Sequence, residues 1–116
     1  MPQSQTPKSQ MPQAQIHVLA RVTLKQGARA PWLAAFRAVQ PDVLAEDGCL
    51  AYEATVDEPG VLGPQVLAGP DVVVIVERWR DVAALRAHSV AAHMGAYREA
   101  VKPHVESVAI EVLKPL

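Results

Sequence analysis

The stretch from Asp71 to Tyr97, DVVVIVERWRDVAALRAHSVAAHMGAY, decides the fold of this chain. Residues 72–76 are uniformly apolar, which predicts a short central strand covered on both faces. Asp81 follows soon after and can accept an amide hydrogen bond at the positive end of a helix, so it predicts a helix start. The stretch therefore predicts a strand that leads into helical residues carrying two histidines, His88 and His93.

The rest of the chain supplies the other elements. Residues 16–24 and 105–113 alternate between apolar and polar positions, as strands do. Apolar residues spaced three to four apart predict a helix from residue 28, and Pro41 should kink or restart it because proline lacks an amide hydrogen. The predicted strands are 16–24, 49–57, 72–80 and 105–113, and the predicted helical segments are 28–39, a second piece ending at Asp47-Gly48, 81–88 and 90–102.

The order strand, helix, strand, strand, helix, strand predicts an α+β fold of the ferredoxin-like split βαβ type, with a four-stranded antiparallel sheet. Helices would cover one face of that sheet. The other face would leave apolar side chains in water, and large exposed apolar patches usually mark interfaces. We therefore expect a homodimer in which two sheets pack face to face. Residues 58–70 form a Gly- and Pro-rich loop with apolar side chains that should pack on something.

Composition narrows the function classes. The chain has 116 residues and a net charge of -1, which argues against a nucleic-acid partner because such proteins rely on Lys and Arg. No stretch reaches the roughly twenty apolar residues that span a bilayer. Cys49 is the single cysteine, so we expect a reducing, cytoplasmic setting. Residues 1–15, rich in Pro, Gln and Ser, predict a disordered tail before a single domain at 16–116, and translation could start at Met1 or Met11.

The spacing of the two histidines bears on what they could bind. Metal ligands on a helix usually lie one turn apart, whereas five residues separate His88 from His93. In an unbroken helix the two rings would diverge, so a chelating pair is disfavoured. His93 and Tyr97 have the one-turn spacing and could both hydrogen-bond one ligand. This pair is the better candidate for a polar corner in a pocket.

Three blocks of sequence resemble a known family when they are taken together and in order. They are EDGCLAYEATVD (Glu46–Asp57), VIVERWRDVAALRAH (Val74–His88) and HMGAYREAVKP (His93–Pro103), and they resemble the antibiotic biosynthesis monooxygenase family, most of all its small bacterial quinol monooxygenases. The likeness runs from about Ile16 to Pro115. The resemblance implies a dimeric α/β barrel with a buried pocket in each subunit. It also implies oxidation of quinol or polyphenolic substrates by O2 with no metal or flavin cofactor.

The residues are compatible with such chemistry. The glycines of the 58–70 loop are interrupted by prolines and do not join a strand to a helix, so no phosphate-binding loop is predicted. A base that removes a hydroquinone proton should titrate near neutral pH, which indicates histidine. His93 and His88 are the candidates for catalytic base and substrate anchor, with their roles left open. Tyr52 and Tyr97 are candidate hydrogen-bonding groups, although such rings more often pack in the core. A structural role at a helix end is an equal alternative for each histidine.

Two further residues are candidates for contact with substrate. Trp79 could form a ring-stacking wall, although a large ring at a strand end more often packs in the core. Arg21 could hold a substrate oxygen, but an ion pair with Glu53 or Glu111 is the favoured interpretation.

Two other functions stay open. One is a non-catalytic small-molecule-binding or stress-related dimer with the same fold. The other is haem degradation, a branch of the same superfamily whose members use an Asn on the first strand and a Trp on the helix after the third strand. Here Ala20 and His88 occupy those places, which argues against haem as substrate.

Overall fold

The computed structural model describes residues 14–116, so residues 1–13 of the predicted tail lie outside the described part of the chain. Four strands and three helices follow in the predicted order, and a 3-10 turn at Lys102–His104 precedes the last strand. The elements are β1 (Ile16–Leu24), α1 (Arg29–Leu44), β2 (Cys49–Thr55), β3 (Val72–Trp79), α2 (Val82–Ser89), α3 (Ala92–Val101) and β4 (Val105–Leu113).

The four strands form one sheet in the order β2-β3-β1-β4, and every neighbouring pair is antiparallel. Because β1 and β3 lie at the centre, each helical connection crosses the sheet between strands that are not direct neighbours. This is the split βαβ arrangement, and it confirms the predicted α+β ferredoxin-like fold. Asp81 caps α2 as predicted, since its Oδ1 accepts the Ala84 amide at 2.9 Å.

The first helix corrects one prediction. Instead of kinking into two pieces at Pro41, α1 runs without interruption from Arg29 to Leu44. Proline removes one backbone hydrogen bond, but the residues on both sides of it, Val39 and Val43, are buried against the sheet. Packing of this apolar face therefore outweighs the local loss. The second strand also ends at Thr55, two residues before the predicted limit.

The core lies between the helices and the sheet. Trp32 and Phe36 of α1 stack with their ring centroids 5.2 Å apart, and Phe36 stacks on Tyr52 of β2 at the same distance. These aromatic contacts fix the position of α1 over β2. The alternate residues of β1 that face the helices are all buried. They are Ile16, Val18, Ala20, Val22 and Leu24.

The other face of the sheet carries no helix. Leu19, Val74 and Val76 lie there and are partly exposed, and Arg21 forms an ion pair with Glu111 at 3.2 Å. This uncovered face is the surface on which the sequence predicts a second subunit. Within residues 14–116, no helix is both long enough and apolar enough to cross a bilayer.

The loop between β2 and β3 is held by hydrogen bonds from its own side chains. The Asp57 carboxylate accepts the amides of Ala68 and Gly69, each at 2.9 Å, and these bonds lower the pKa of Asp57. Gln65 accepts two further loop amides through its Oε1. Four apolar side chains of the loop nevertheless stay exposed, namely Val61, Leu62, Val66 and Leu67. Polar contacts therefore hold the loop, and each of these four side chains is more than half exposed.

Candidate active site

A cavity of about 590 Å³ opens between the sheet and the two later helices. Its walls are mostly aliphatic and come from β1, β3, β4, α2 and α3. Four polar side chains reach it from inside the fold, and exposed polar residues of α2, α3 and the 3-10 turn lie at its solvent edge. The inner polar residues are Tyr52, Glu77, His88 and Tyr97, and the outer ones are Ser89, Arg98, Glu99 and Lys102. An apolar cavity with few convergent polar groups is typical of a small-molecule site.

A single carboxylate oxygen joins the two candidate histidines. Glu46 Oε2 lies 2.9 Å from His88 Nδ1 and 2.6 Å from His93 Nε2. A carboxylate only accepts hydrogen bonds, so each of these ring nitrogens carries its proton, and in a neutral ring the other nitrogen is left with its lone pair. Glu46 thereby sets the tautomer of both rings, as a buried carboxylate does for the histidine of a catalytic triad.

The convergence of the two histidines corrects the prediction that their rings diverge. That prediction holds for an unbroken helix, but α2 ends at Ser89 and α3 begins at Ala92. The residues between them break the helical rotation, so both rings turn toward the same carboxylate. They share one hydrogen-bond acceptor, Glu46 Oε2. Among residues 14–116, no group of three or more His, Cys, Asp or Glu side chains is arranged to hold a metal ion.

The turn that carries Glu46 is locked against the start of α2. Gly48 has a φ of +84°, and a Cβ at this position would lie only 2.6 Å from the Ala84 Cβ, so glycine is required for both reasons. Its carbonyl accepts the Arg80 amide at 2.8 Å. The Arg80 guanidinium also holds both carboxylate oxygens of Asp47, each at 3.0 Å. Glu46 therefore sits on a turn whose position is fixed relative to His88.

His88 lies between two aromatic rings and is 6% exposed. Its ring centroid is 4.6 Å from that of Trp79 and 5.5 Å from that of Tyr52. Its Nδ1 is bonded to Glu46, and its Nε2 has no hydrogen-bond partner within residues 14–116. Nε2 nevertheless keeps some solvent exposure, since it is not one of the fully buried unpaired polar atoms of that range. Because the residue lines the cavity, the Nε2 lone pair is available to a ligand.

Glu77 is a buried carboxylic acid on the cavity wall. It lies on β3 between Val18 of β1 and Tyr52 of β2, and it is 6% exposed. Trp79 donates its indole N–H to Glu77 Oε1 at 2.9 Å. Burial raises the pKa of Glu77 above its usual range, because a charged carboxylate is disfavoured in apolar surroundings. Burial also raises the pKa of Tyr52 and raises that of Tyr97 to about 12, so both phenols keep their protons at neutral pH.

The six predicted site residues separate into two groups. His88, Tyr52 and Tyr97 line the cavity. His93 does not, because it lies on the far side of Glu46 with its side chain 29% exposed. The structure therefore does not bring His93 and Tyr97 together at one ligand site, contrary to the prediction from sequence.

Trp79 and Arg21 do not face the cavity either. Trp79 is fully buried and packs against the His88 ring. Because it is fully buried, no face of its ring is free to stack on a substrate. Arg21 points to the uncovered face of the sheet, where its Nη2 and Nε both contact Glu111. The favoured interpretation from sequence, an ion pair, is the one observed for Arg21.

Two residues of the site were not predicted from sequence. Glu77 carries a readable signal, since it shares the two-residue alternation of Val73, Ile75 and Trp79 on a central strand, where a buried charge is unusual. Glu46 carries none. It lies in the turn after α1, and only the folded chain brings it beside histidines more than forty residues away.

Comparison with known proteins agrees with this architecture. The family model described as "Antibiotic biosynthesis monooxygenase" matches residues 15–100. The chain belongs to this family. It is 38% identical over 100 residues to the Escherichia coli K12 protein named "Probable quinol monooxygenase YgiN", and the match covers 84% of this chain and 95% of that protein.

Solved structures of the same architecture come from several bacteria. SO0527 from Shewanella oneidensis matches with a TM-score of 0.73 and 30% identity, over 89% of this chain and 92% of that one. Rv0793 from Mycobacterium tuberculosis matches with a TM-score of 0.72 and 30% identity, over 89% and 96%. The family fold therefore extends over nearly all of the described residues.

Proposed function

We propose that this protein is a cofactor-independent monooxygenase that oxidises quinols or related polyphenols with O2. One observation carries the proposal: an apolar cavity ends on the Nε2 of His88, whose Nδ1 is bonded to the Glu46 carboxylate. Family membership and the 38% identity to a protein named as a probable quinol monooxygenase support it. The quinol itself supplies the electrons, so the cavity needs to bind an aromatic ring, remove a proton and exclude water.

In the proposed reaction, His88 Nε2 takes a proton from a quinol hydroxyl. The imidazolium that forms is stabilised by Glu46, whose oxygen lies 2.9 Å from Nδ1. The electron-rich anion reduces O2, a bond forms between a ring carbon and one oxygen atom, and the O–O bond breaks as the other oxygen leaves as water. The quinol thus loses two hydrogens and gains one oxygen, giving a hydroxyquinone. The buried aliphatic wall formed by β1 and β3 shields one side of the reactive intermediate from bulk water.

His93 has a different role in this proposal. It shares the Glu46 oxygen with His88, but it lies outside the cavity and is partly exposed. We assign it to holding Glu46 in place, because its Nε2–H donates to the same carboxylate oxygen that His88 uses. Its removal should slow the reaction less than removal of His88.

The proposed assembly is a homodimer formed through the uncovered face of the sheet. Leu19, Val74 and Val76 form an apolar centre on that face, with the Arg21–Glu111 ion pair beside it. Exposed apolar patches on an ordered sheet are typical of subunit interfaces. A second copy would cover this patch without touching the polar corner of the cavity.

Menadiol provides the test. Anaerobically prepared menadiol is mixed with protein in air, and O2 uptake and products are followed with 18O2. We expect uptake faster than autoxidation and a hydroxyquinone carrying one labelled atom. His88→Ala should lower the enzymatic rate by about 10² to 10⁴. The control is Arg37→Ala, at an exposed position of α1 away from both the cavity and the uncovered face of the sheet, which should retain the rate.

Two results would overturn the proposal. A rate no greater than autoxidation would instead support a non-catalytic binding protein of the same fold. Hydrogen peroxide and unlabelled quinone as the only products would indicate an oxidase, which transfers no oxygen to the substrate.

A further inference from the structure

Glu77 is a buried acid at a position where the packing of the fold does not require a carboxylate. It lies on a central strand with aliphatic neighbours, and one of its oxygens accepts the Trp79 indole N–H at 2.9 Å. A glutamine carbonyl could accept the same bond, and an apolar residue could fill the same volume. A buried carboxylate is costly compared with either replacement.

The second oxygen of Glu77 is the group that this fold leaves available. Within residues 14–116, the Glu77 side chain forms one hydrogen bond, which it accepts from Trp79. Its Oε2 has no partner there but is not fully buried. Because Glu77 lines the cavity, its free oxygen has access to a bound molecule. His88 lies in the same corner, since the Trp79 indole contacts both residues.

We propose that Glu77 is a substrate-binding residue whose free carboxyl oxygen hydrogen-bonds a hydroxyl group of the aromatic ligand. This inference rests on the proposed function and names the feature of the substrate that the cavity selects: a phenolic hydroxyl within reach of β3. Trp79 is the positioning residue, because its N–H holds one carboxyl oxygen and leaves the other directed to the ligand. A site built to bond a hydroxyl discriminates strongly against a ligand without one.

The surroundings of Glu77 determine how its behaviour changes with pH. His88 from α2 faces it and favours its charged form, whereas Glu46 from the turn after α1 disfavours that form. Tyr52 and Cys49 of β2 and Tyr97 of α3 also lie near enough to be affected by its charge. Burial is the largest influence and raises the pKa of Glu77.

This direction gives a stability signature that separates a functional acid from a structural one. The folded chain favours protonated Glu77. Its contribution to the free energy of unfolding is therefore fully present below the pKa that Glu77 has in the unfolded chain, and it is lost as the pH rises through the higher pKa of the folded state. A glutamine at this position stays neutral. We therefore expect Glu77→Gln to unfold at the same or a higher temperature than the wild type at pH 8.

The binding experiment uses two redox-inert ligands of nearly equal shape, 1-naphthol and 1-methoxynaphthalene, titrated calorimetrically into the full-length protein. The wild type should bind 1-naphthol more tightly. Glu77→Met removes the hydrogen-bonding oxygen and should weaken 1-naphthol binding by about 10-fold, because a hydrogen bond to a charged or polar partner is lost. Binding of 1-methoxynaphthalene should change by less than about 2-fold. Glu106→Met, at an exposed acid of β4, is the matched control.

Each outcome decides the inference. Unchanged 1-naphthol affinity in Glu77→Met would overturn it, as would an equal loss for both ligands, which indicates damaged packing, or a wild type that binds neither arene. Markedly reduced thermal stability of Glu77→Gln at pH 8 would assign Glu77 a structural role instead. Failure of the function alone looks different: the wild type would prefer 1-naphthol in the expected way but would not accelerate menadiol oxidation.

Discussion

The two faces of the sheet differ in what they bury. On the helix-covered face, β1 and β3 side chains are sealed in a core, yet that face also encloses Glu77 and His88. On the uncovered face, charged groups such as Arg21 and Glu111 pair at the surface, and the apolar residues are partly exposed. Two ionisable groups are therefore buried on the apolar, helix-covered face, where burying a charge is costly, while the ion pair on the uncovered face stays solvated. Such an arrangement is typical of a functional site, because stability alone would not retain it.

The largest loss of stability should follow from removing the central ring of the aromatic stack on the helix-covered face. Phe36 is 1% exposed and stacks on both Trp32 and Tyr52. Phe36→Ala would leave a cavity in this core and should lower the free energy of unfolding by about 3–5 kcal/mol. Urea denaturation measures the loss. Leu44→Ala, at an exposed position of the same helix, is the control and should cost much less. A loss below about 1 kcal/mol in Phe36→Ala would contradict this description of the core.

The next effect tests the uncovered face. Val76→Lys places a charge at the centre of the proposed dimer interface while leaving it solvated in a single subunit. Burying an unpaired charge at an interface should weaken association by about 3 kcal/mol or more. Sedimentation equilibrium should show a concentration-dependent dimer for the wild type and a folded monomer for the variant. Glu111→Gln, which breaks a half-exposed ion pair, should change association by less than about 1 kcal/mol. A Val76→Lys protein that remains fully dimeric would place the interface elsewhere.

A smaller effect sharpens the comparison at the polar corner. Glu46→Gln keeps the shape of the side chain but removes the negative charge that both histidines share. We expect kcat with menadiol to fall by about 10- to 100-fold, because the imidazolium of His88 loses its hydrogen bond to a charged partner. KM should change little, because Glu46 does not line the cavity. Equal kcat values for Glu46→Gln and wild type would show that His88 needs no carboxylate behind it.

Much of the fold was predictable because each element has a local signal. The alternation of β1 and β4 gave their bounds, and Asp81 marked the start of α2. The exception was Pro41, where the local rule predicts a break but the burial of Val39 and Val43 on either side keeps the helix continuous. Long-range packing decided that outcome, and no short window of sequence contains it.

The site was predictable only in part. The residue types and the family resemblance indicated His88, Tyr52 and Tyr97, all of which line the cavity. The separation of roles between His88 and His93 depends on Glu46, a residue of another element. Similarly, Trp79 has the chemistry of a stacking residue, but its neighbours bury it completely. Orientation and depth follow from tertiary packing, which residue spacing does not encode.

The short joint between α2 and α3 implies unequal tolerance to changes in chain length. Val90 and Ala91 join the end of α2 to the start of α3, so one residue inserted or deleted there would reposition α3 and move His93 away from Glu46. The loop of residues 56–71 has no such requirement, because its ends are set by the sheet. Among relatives that keep the two-histidine pair, we expect this joint to have constant length, while insertions and deletions collect in the loop.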